Sequence, residues 1–138
     1  MEKFASVLFV DDDPVSNYMG KQMITKLKLS DTVLVTCNGK EALELIAEKN
    51  FNPEIIFLDL NMPLINGYEF LEIYLKTFSS TITSIIILTS SEDGRDLDKV
   101  QAFGIKYYLS KPLIEDNLLK ICEIIKLNIK LKFVMLAS

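Results

Sequence analysis

The sequence predicts a doubly wound α/β fold with a parallel sheet, and three observations carry that reading. Five short apolar runs, at 7–10, 32–35, 55–58, 85–88 and 107–109, are each followed by a longer stretch of helical pattern. The first, third and fourth runs are apolar throughout rather than alternating, as strands are when helices cover both faces of a parallel sheet. The first, third, fourth and fifth runs then lead into polar residues: Asp11-Asp12-Asp13, Asp59, Thr89-Ser90 and Lys111. In a doubly wound sheet the carboxyl ends of the strands form the functional crevice, which is where these groups fall.

The elements follow in order. Residues 14–27 read as the first helix, with Asp13 as N-cap, Pro14 at the first helical position, and Met19, Met23 and Leu27 recurring at i+4 steps as the packed stripe. The second helix carries Ala42, Leu43, Ile46 and Ala47, and the third carries Phe70, Leu71, Tyr74 and Phe78. A fourth is expected over 97–103, and a fifth after Lys111-Pro112 with Leu118, Ile121, Cys122 and Ile125 on its inner face. Strand and helix alternating across short joints imply right-handed crossovers. From Lys126 the chain alternates polar and apolar residues, as a strand would, yet Ile129 continues the helical stripe and neither Gly nor Pro interrupts it. A lengthened fifth helix, fraying after Lys132, is the favoured expectation. A paired strand, a partner-docking apolar tail and a membrane-surface helix are the alternatives.

Composition narrows the chemistry. A chain of 138 residues, 49% apolar and 25% charged, suits one globular domain and excludes a disordered one. The net charge of −4 argues against whole-protein attraction to nucleic acid. With no histidine, the usual zinc sites, a His general base and a His phosphocarrier are all excluded. A metal would have to be held by oxygen, which points to Mg²⁺ or a similar hard cation. Cys37 and Cys122 lie far apart in sequence, and both are expected as buried thiols in a reducing compartment. Residues 1–6, with Glu2 and Lys3, lack the apolar region of a signal peptide, and no apolar run approaches the roughly 20 residues of a membrane span. A cytoplasmic protein that touches neither membrane nor nucleic acid is expected.

Each polar group also has an ordinary reading. Asp13 is a solvated cap, a Thr or Ser after a strand begins a turn, and a lone lysine belongs to the surface. Their conjunction after four strands is harder to reach by accident. Carboxylates converging on one sheet edge repel unless a cation neutralises them, and Mg²⁺ holds a few protein oxygens while keeping positions for water and a phosphoryl oxygen.

These pieces resemble the receiver domain of two-component response regulators. The resemblance is carried by Val10-Asp11-Asp12-Asp13-Pro14, by Leu58-Asp59-Leu60-Asn61-Met62-Pro63 with Asn66-Gly67 after it, by Leu88-Thr89-Ser90 and by Lys111-Pro112. It covers residues 4–127, leaving 128–138 as an extension of the last helix or a tail. It implies a flavodoxin-like five-stranded sheet in the order 2-1-3-4-5 with five helices, and a phosphoacceptor signalling domain rather than an enzyme. Asp59 would take the phosphoryl group from a histidine kinase or His phosphotransfer protein. Asp11, Asp12, Asp59 and the main-chain carbonyl of Asn61 would hold Mg²⁺. Lys111 would pair with a phosphoryl oxygen, and Thr89 would hydrogen-bond another. Thr89 and Tyr108 would form the switch, with Tyr107 pointing to the opposite face. Lys111-Pro112 would be cis, Gly67 would open the third helix, and Asn66, where the family often has Asp, would matter little. Asn61 and Ser91 would bear on an attacking water.

The chain leaves no room for an output domain, so a stand-alone regulator is expected. It would act through a changed partner surface or onward phosphotransfer. The face of fourth helix, fifth strand and fifth helix is the expected output surface, with a homodimer there or through the tail. The rival readings are a haloacid-dehalogenase-like Mg²⁺ phosphatase, which leaves Asp59 and Met62-Pro63 without a role, a flavodoxin-like binding module, and a receiver-like interaction module that is never phosphorylated.

Overall fold

The computed structural model describes residues 2–78, 82–90 and 94–137. Five strands and five helices alternate: β1 (Val7–Val10), α1 (Pro14–Lys26), β2 (Val33–Thr36), α2 (Gly39–Glu48), β3 (Ile55–Asp59), α3 (Gly67–Thr77), β4 (Ser84–Thr89), α4 (Gly94–Gln101), β5 (Tyr107–Ser110) and α5 (Glu115–Ala137). The strands form one parallel sheet in the order β2-β1-β3-β4-β5. This is the predicted doubly wound topology, and its switch point lies between β1 and β3.

Strand alternation sorts the core into two layers. Leu8, Val10, Ile56, Leu58, Ile85 and Ile87 face α2, α3 and α4, where Ala42, Ile46, Phe70, Leu71, Tyr74 and Val100 complete one cluster. Val7, Phe9, Ile55, Phe57, Ile86 and Leu88 face α1 and α5 and meet Ile24, Leu118, Ile121, Cys122 and Ile125. Phe9 and Phe57 stack across the β1–β3 pair with centroids 4.5 Å apart. Because helices cover both faces, β1 and β3 are buried at every position, which explains their unbroken apolar runs.

The local signals read from the sequence recur as geometry. The Asp13 side chain accepts from the Val15 amide and caps α1, with Pro14 opening the helix. Asn66 caps α3 in a reciprocal capping box with Glu69, so this Asn has a structural task of its own. The Lys111–Pro112 peptide bond is cis.

Several expectations need correction. The fully buried face of α1 is Asn17, Gly20 and Ile24; of the expected stripe Met23 and Leu27 pack half-buried at its edge, while Met19 is 53% exposed. The cause is β1 beneath the helix: a Cβ on Gly20 would stand 2.5 Å from the Phe9 ring, so the glycine face is the one that lies closest on the strand. In α2, Ala47 is exposed and Leu45 packs in its stead. Strand β2 runs one residue later than expected, because the register of Val33 to Thr36 is set by pairing with Val7 to Val10. Cys37 is exposed on the β2–α2 loop, whereas Cys122 is buried and its thiol is pushed up to about 12 by that burial. Helix α4 begins before Leu97 and closes in a turn at 102–104. Helix α5 continues through Ala137 rather than fraying after Lys132.

The β3–α3 loop carries one strained residue. Leu64 has φ +64° and is 72% exposed. A left-handed backbone costs a branched residue about 1–2 kcal/mol, and Asn tolerates it better. Leu64→Asn should therefore gain about 0.5–1 kcal/mol, seen as a higher urea midpoint with an unchanged slope.

Candidate functional site

The site forms where β1, β3, β4 and β5 end. Asp11 directly follows β1 and is buried; its Oδ1 accepts the Asp13 amide at 3.0 Å. Asp12 beside it is exposed. Asp59 is the last residue of β3 and is buried, and its Oδ1 accepts the Asn61 amide at 3.3 Å. One carboxylate oxygen from each of Asp11, Asp12 and Asp59 lies within 4.8 Å of the others. That spacing and an all-oxygen donor set fit a hard divalent cation, and without one the three charges oppose each other.

Lys111 reaches this cluster from the β5–α5 loop. Its Nζ lies 2.7 Å from Asp11 Oδ2 and 3.7 Å from Asp59 Oδ2. Its amide donates to the Thr89 carbonyl at 2.9 Å, which ties the loop to the end of β4. Burial pulls the Lys111 ammonium down, but its hydrogen bond to Asp11 and the charges of Asp59, Asp11 and Asp13 outweigh that and hold it above the usual lysine value. Asp59 moves the opposite way for an acid. Burial lifts it most, Lys111 opposes, Asp11 raises it again, the Asn61 amide lowers it and Asp12 raises it, to about 6. A buried carboxyl above its ordinary range beside a fixed ammonium marks a group poised for chemistry.

Thr89 closes β4 and is buried. Tyr108 lies on the next strand, half-buried, and its hydroxyl donates to the Ile105 carbonyl at 2.6 Å. Tyr108 packs with the α2–α3–α4 side of the core and Tyr107 with the α1–α5 side, so the two rings take opposite faces as expected. Ser91 lies outside the described residues.

One contributor escaped the sequence reading. Asn17, buried on α1, donates from Nδ2 to the Asp11 carbonyl at 2.9 Å and the Thr36 carbonyl at 3.2 Å. It pins the main chain of the acidic loop to the end of β2. Asn17→Ala leaves two buried carbonyls without this donor and should cost about 1–3 kcal/mol in urea unfolding.

Comparison with known proteins agrees with this arrangement. Residues 7–123 match the model of the response regulator receiver domain. The chain belongs to that family. It is 29% identical over 116 residues to protein PilH of Pseudomonas aeruginosa, covering 84% of this chain and 93% of PilH. It is 32% identical to the nitrate/nitrite response regulator protein NarL of Escherichia coli K12, over 84% of this chain but only 52% of NarL, so the chain spans about half the length of that relative. A two component response regulator from Cytophaga hutchinsonii superposes with a TM-score of 0.81 at 30% identity, covering 90% of this chain and 98% of that one. Receiver domains are signalling domains of two-component systems, and this membership displaces the phosphatase and flavodoxin-like binding-module readings. Among the described residues no helix is long and apolar enough to cross a membrane.

Proposed function

We infer that this receiver accepts a phosphoryl group on Asp59 with Mg²⁺ bound by the acidic cluster, and that phosphorylation changes a partner-binding surface. The observation that carries this reading is the joint geometry of Asp11, Asp12 and Asp59, with ligand oxygens within 4.8 Å, and the Lys111 ammonium 2.7 Å from Asp11 and 3.7 Å from Asp59. Asp11, Asp12 and Asp59, with the main-chain carbonyl of Asn61, would hold the ion. When bound, Mg²⁺ supplies neutralisation of the phosphoryl oxygens and of the clustered carboxylates. Asp59 Oδ attacks phosphorus as the bond to the donor breaks, giving an aspartyl phosphate. Lys111 moves from its carboxylate partners to a phosphoryl oxygen and steadies the charge that develops there. Thr89 donates its hydroxyl to another.

A histidine kinase or His phosphotransfer protein would be the donor, in the cytoplasm. Drawing Thr89 toward the phosphoryl group would open space for the Tyr108 ring, at the loss of the Ile105 hydrogen bond, and so convert a local charge event into a changed α4–β5–α5 surface. The domain would act as a single-domain regulator, with residues 4–127 as the receiver.

Incubation with acetyl phosphate and Mg²⁺ should add one phosphoryl mass to the intact protein. The increment should vanish in Asp59→Asn and with chelator. If neither a small-molecule donor nor a cognate kinase labels the protein, the reading fails and an unphosphorylated interaction module takes its place.

A further inference from the structure

Helix α5 is 23 residues long, and its fully buried residues end at Ile125. Its inner face, Leu118, Ile121, Cys122 and Ile125, is buried against the sheet, with Ile129 partly so. A second apolar row runs along the opposite side. Ile124, Leu127, Leu131 and Val134 are 50%, 56%, 52% and 64% exposed. Their spacing of three, four and three residues is the a/d pattern of a two-helix seam. A helix that only covered a sheet would have polar residues there.

We propose that this outer row pairs α5, antiparallel, with the same helix of a second copy of the chain. The row faces away from the sheet, so two copies can join along it with their domain bodies on opposite sides and no rearrangement of either. Charge selects the direction. Glu115 is held by Lys26 and Lys126 by Glu54 within the same chain. Of the remaining charges, the first half of α5 carries Asp116 and Glu123 against Lys120, and the second half carries Lys130 and Lys132 with no acid. Parallel pairing would set the lysines of the two copies together, whereas antiparallel pairing sets each basic half along the acidic half of its partner. With the helices overlapping along their full length, Ile124 lies opposite Leu127 of the second copy in both central layers. The Lys120 stem covers Leu131 there, with its ammonium reaching water. Glu123 and Lys130 flank the row on one side, the positions that meet across an antiparallel pair, and so form two reciprocal ion pairs.

The test is the mass of the full chain in solution by sedimentation equilibrium, without phosphoryl donor. Two chains per particle are expected, and Leu127→Glu should give one chain with an unchanged helical spectrum, since Leu127 is exposed in the single copy. Glu123→Lys and Lys130→Glu should each weaken association about tenfold, and the double exchange should restore it. A single-chain mass at the highest soluble concentration overturns the proposal, as does a pair that survives Leu127→Glu. A pair in which the double exchange is no better than either single change overturns the antiparallel register. Labelling of Asp59 by acetyl phosphate is a separate readout, so failure here leaves the functional reading untouched.

Discussion

Gly67→Ala should destabilise the protein by about 2–3 kcal/mol and slow labelling of Asp59 about tenfold to a hundredfold. A Cβ at this position would stand 2.6 Å from Leu60 Cα and 2.7 Å from the Asp59 carbonyl oxygen, and 3.0 Å from Leu60 Cδ2. The first two are main-chain atoms of Asp59, which ends β3, and of Leu60, which follows it, so no rotamer change relieves the contact. Either the start of α3 retreats or the end of β3 does. The Gly67 amide donates to the Leu60 carbonyl at 3.0 Å, which couples the two and spreads the shift to Asp59. Urea unfolding reads the stability, and the rate of phosphoryl mass gain reads the displacement of the nucleophile. Asp59 kept at its parental labelling rate in a folded Gly67→Ala protein would show that the loop absorbs the methyl group without moving the strand end.

Gly67 also shows what the sequence can and cannot disclose. Its place at the start of α3 is legible, because Asn66-Gly67 follows a loop and precedes a helical stripe. The reason for the glycine is not legible: it is a close approach to another strand's exit, and such contacts exist only once the chain is folded. The same division holds elsewhere. The runs of β1 and β3 are apolar because both faces are covered, so their identity and their polar successors Asp11 and Asp59 could be read directly. For α1 the reading failed for a physical reason. The inward row Asn17, Gly20, Ile24 has proper helical spacing, but two of its three members are not apolar. Gly20 is small so that Phe9 can approach, and Asn17 is polar because it serves the carbonyls of Asp11 and Thr36. Of the residues that carry the hydrophobic signal, Met23 and Leu27 pack at the edge of the core, half-buried, and Met19 lies toward solvent. A polar residue three before a glycine on a helix that follows an acidic loop was the available clue.

Asp59→Asn should stabilise the cation-free protein at pH 8 by about 1–3 kcal/mol and have almost no effect at pH 3. The sign follows from the direction of the shift. The Asp59 carboxyl is raised from 3.8 to about 6 in the fold, so the folded state binds the proton more tightly than the unfolded chain does. Below the unfolded value both states are protonated and the group contributes nothing. As pH rises from about 4 to about 6 the unfolded chain ionises first, and stability is lost until the folded carboxyl ionises as well. Above that the loss is constant. Asn is neutral throughout, keeps an oxygen for the Asn61 amide, and removes one of the charges opposing Asp11 and Asp12. The difference between variant and parent should therefore grow through that window and then level off. Mg²⁺ should reverse the order at pH 8. The parent offers three carboxylates and the variant two, so added cation stabilises the parent more. Melting temperatures of both proteins across pH 3–8, with chelator and with Mg²⁺, measure all of this. A parent that outlasts Asp59→Asn at pH 8 in chelator would mean that Lys111 more than compensates the buried charges, and that the cluster is held together by its own lysine rather than strained toward a cation.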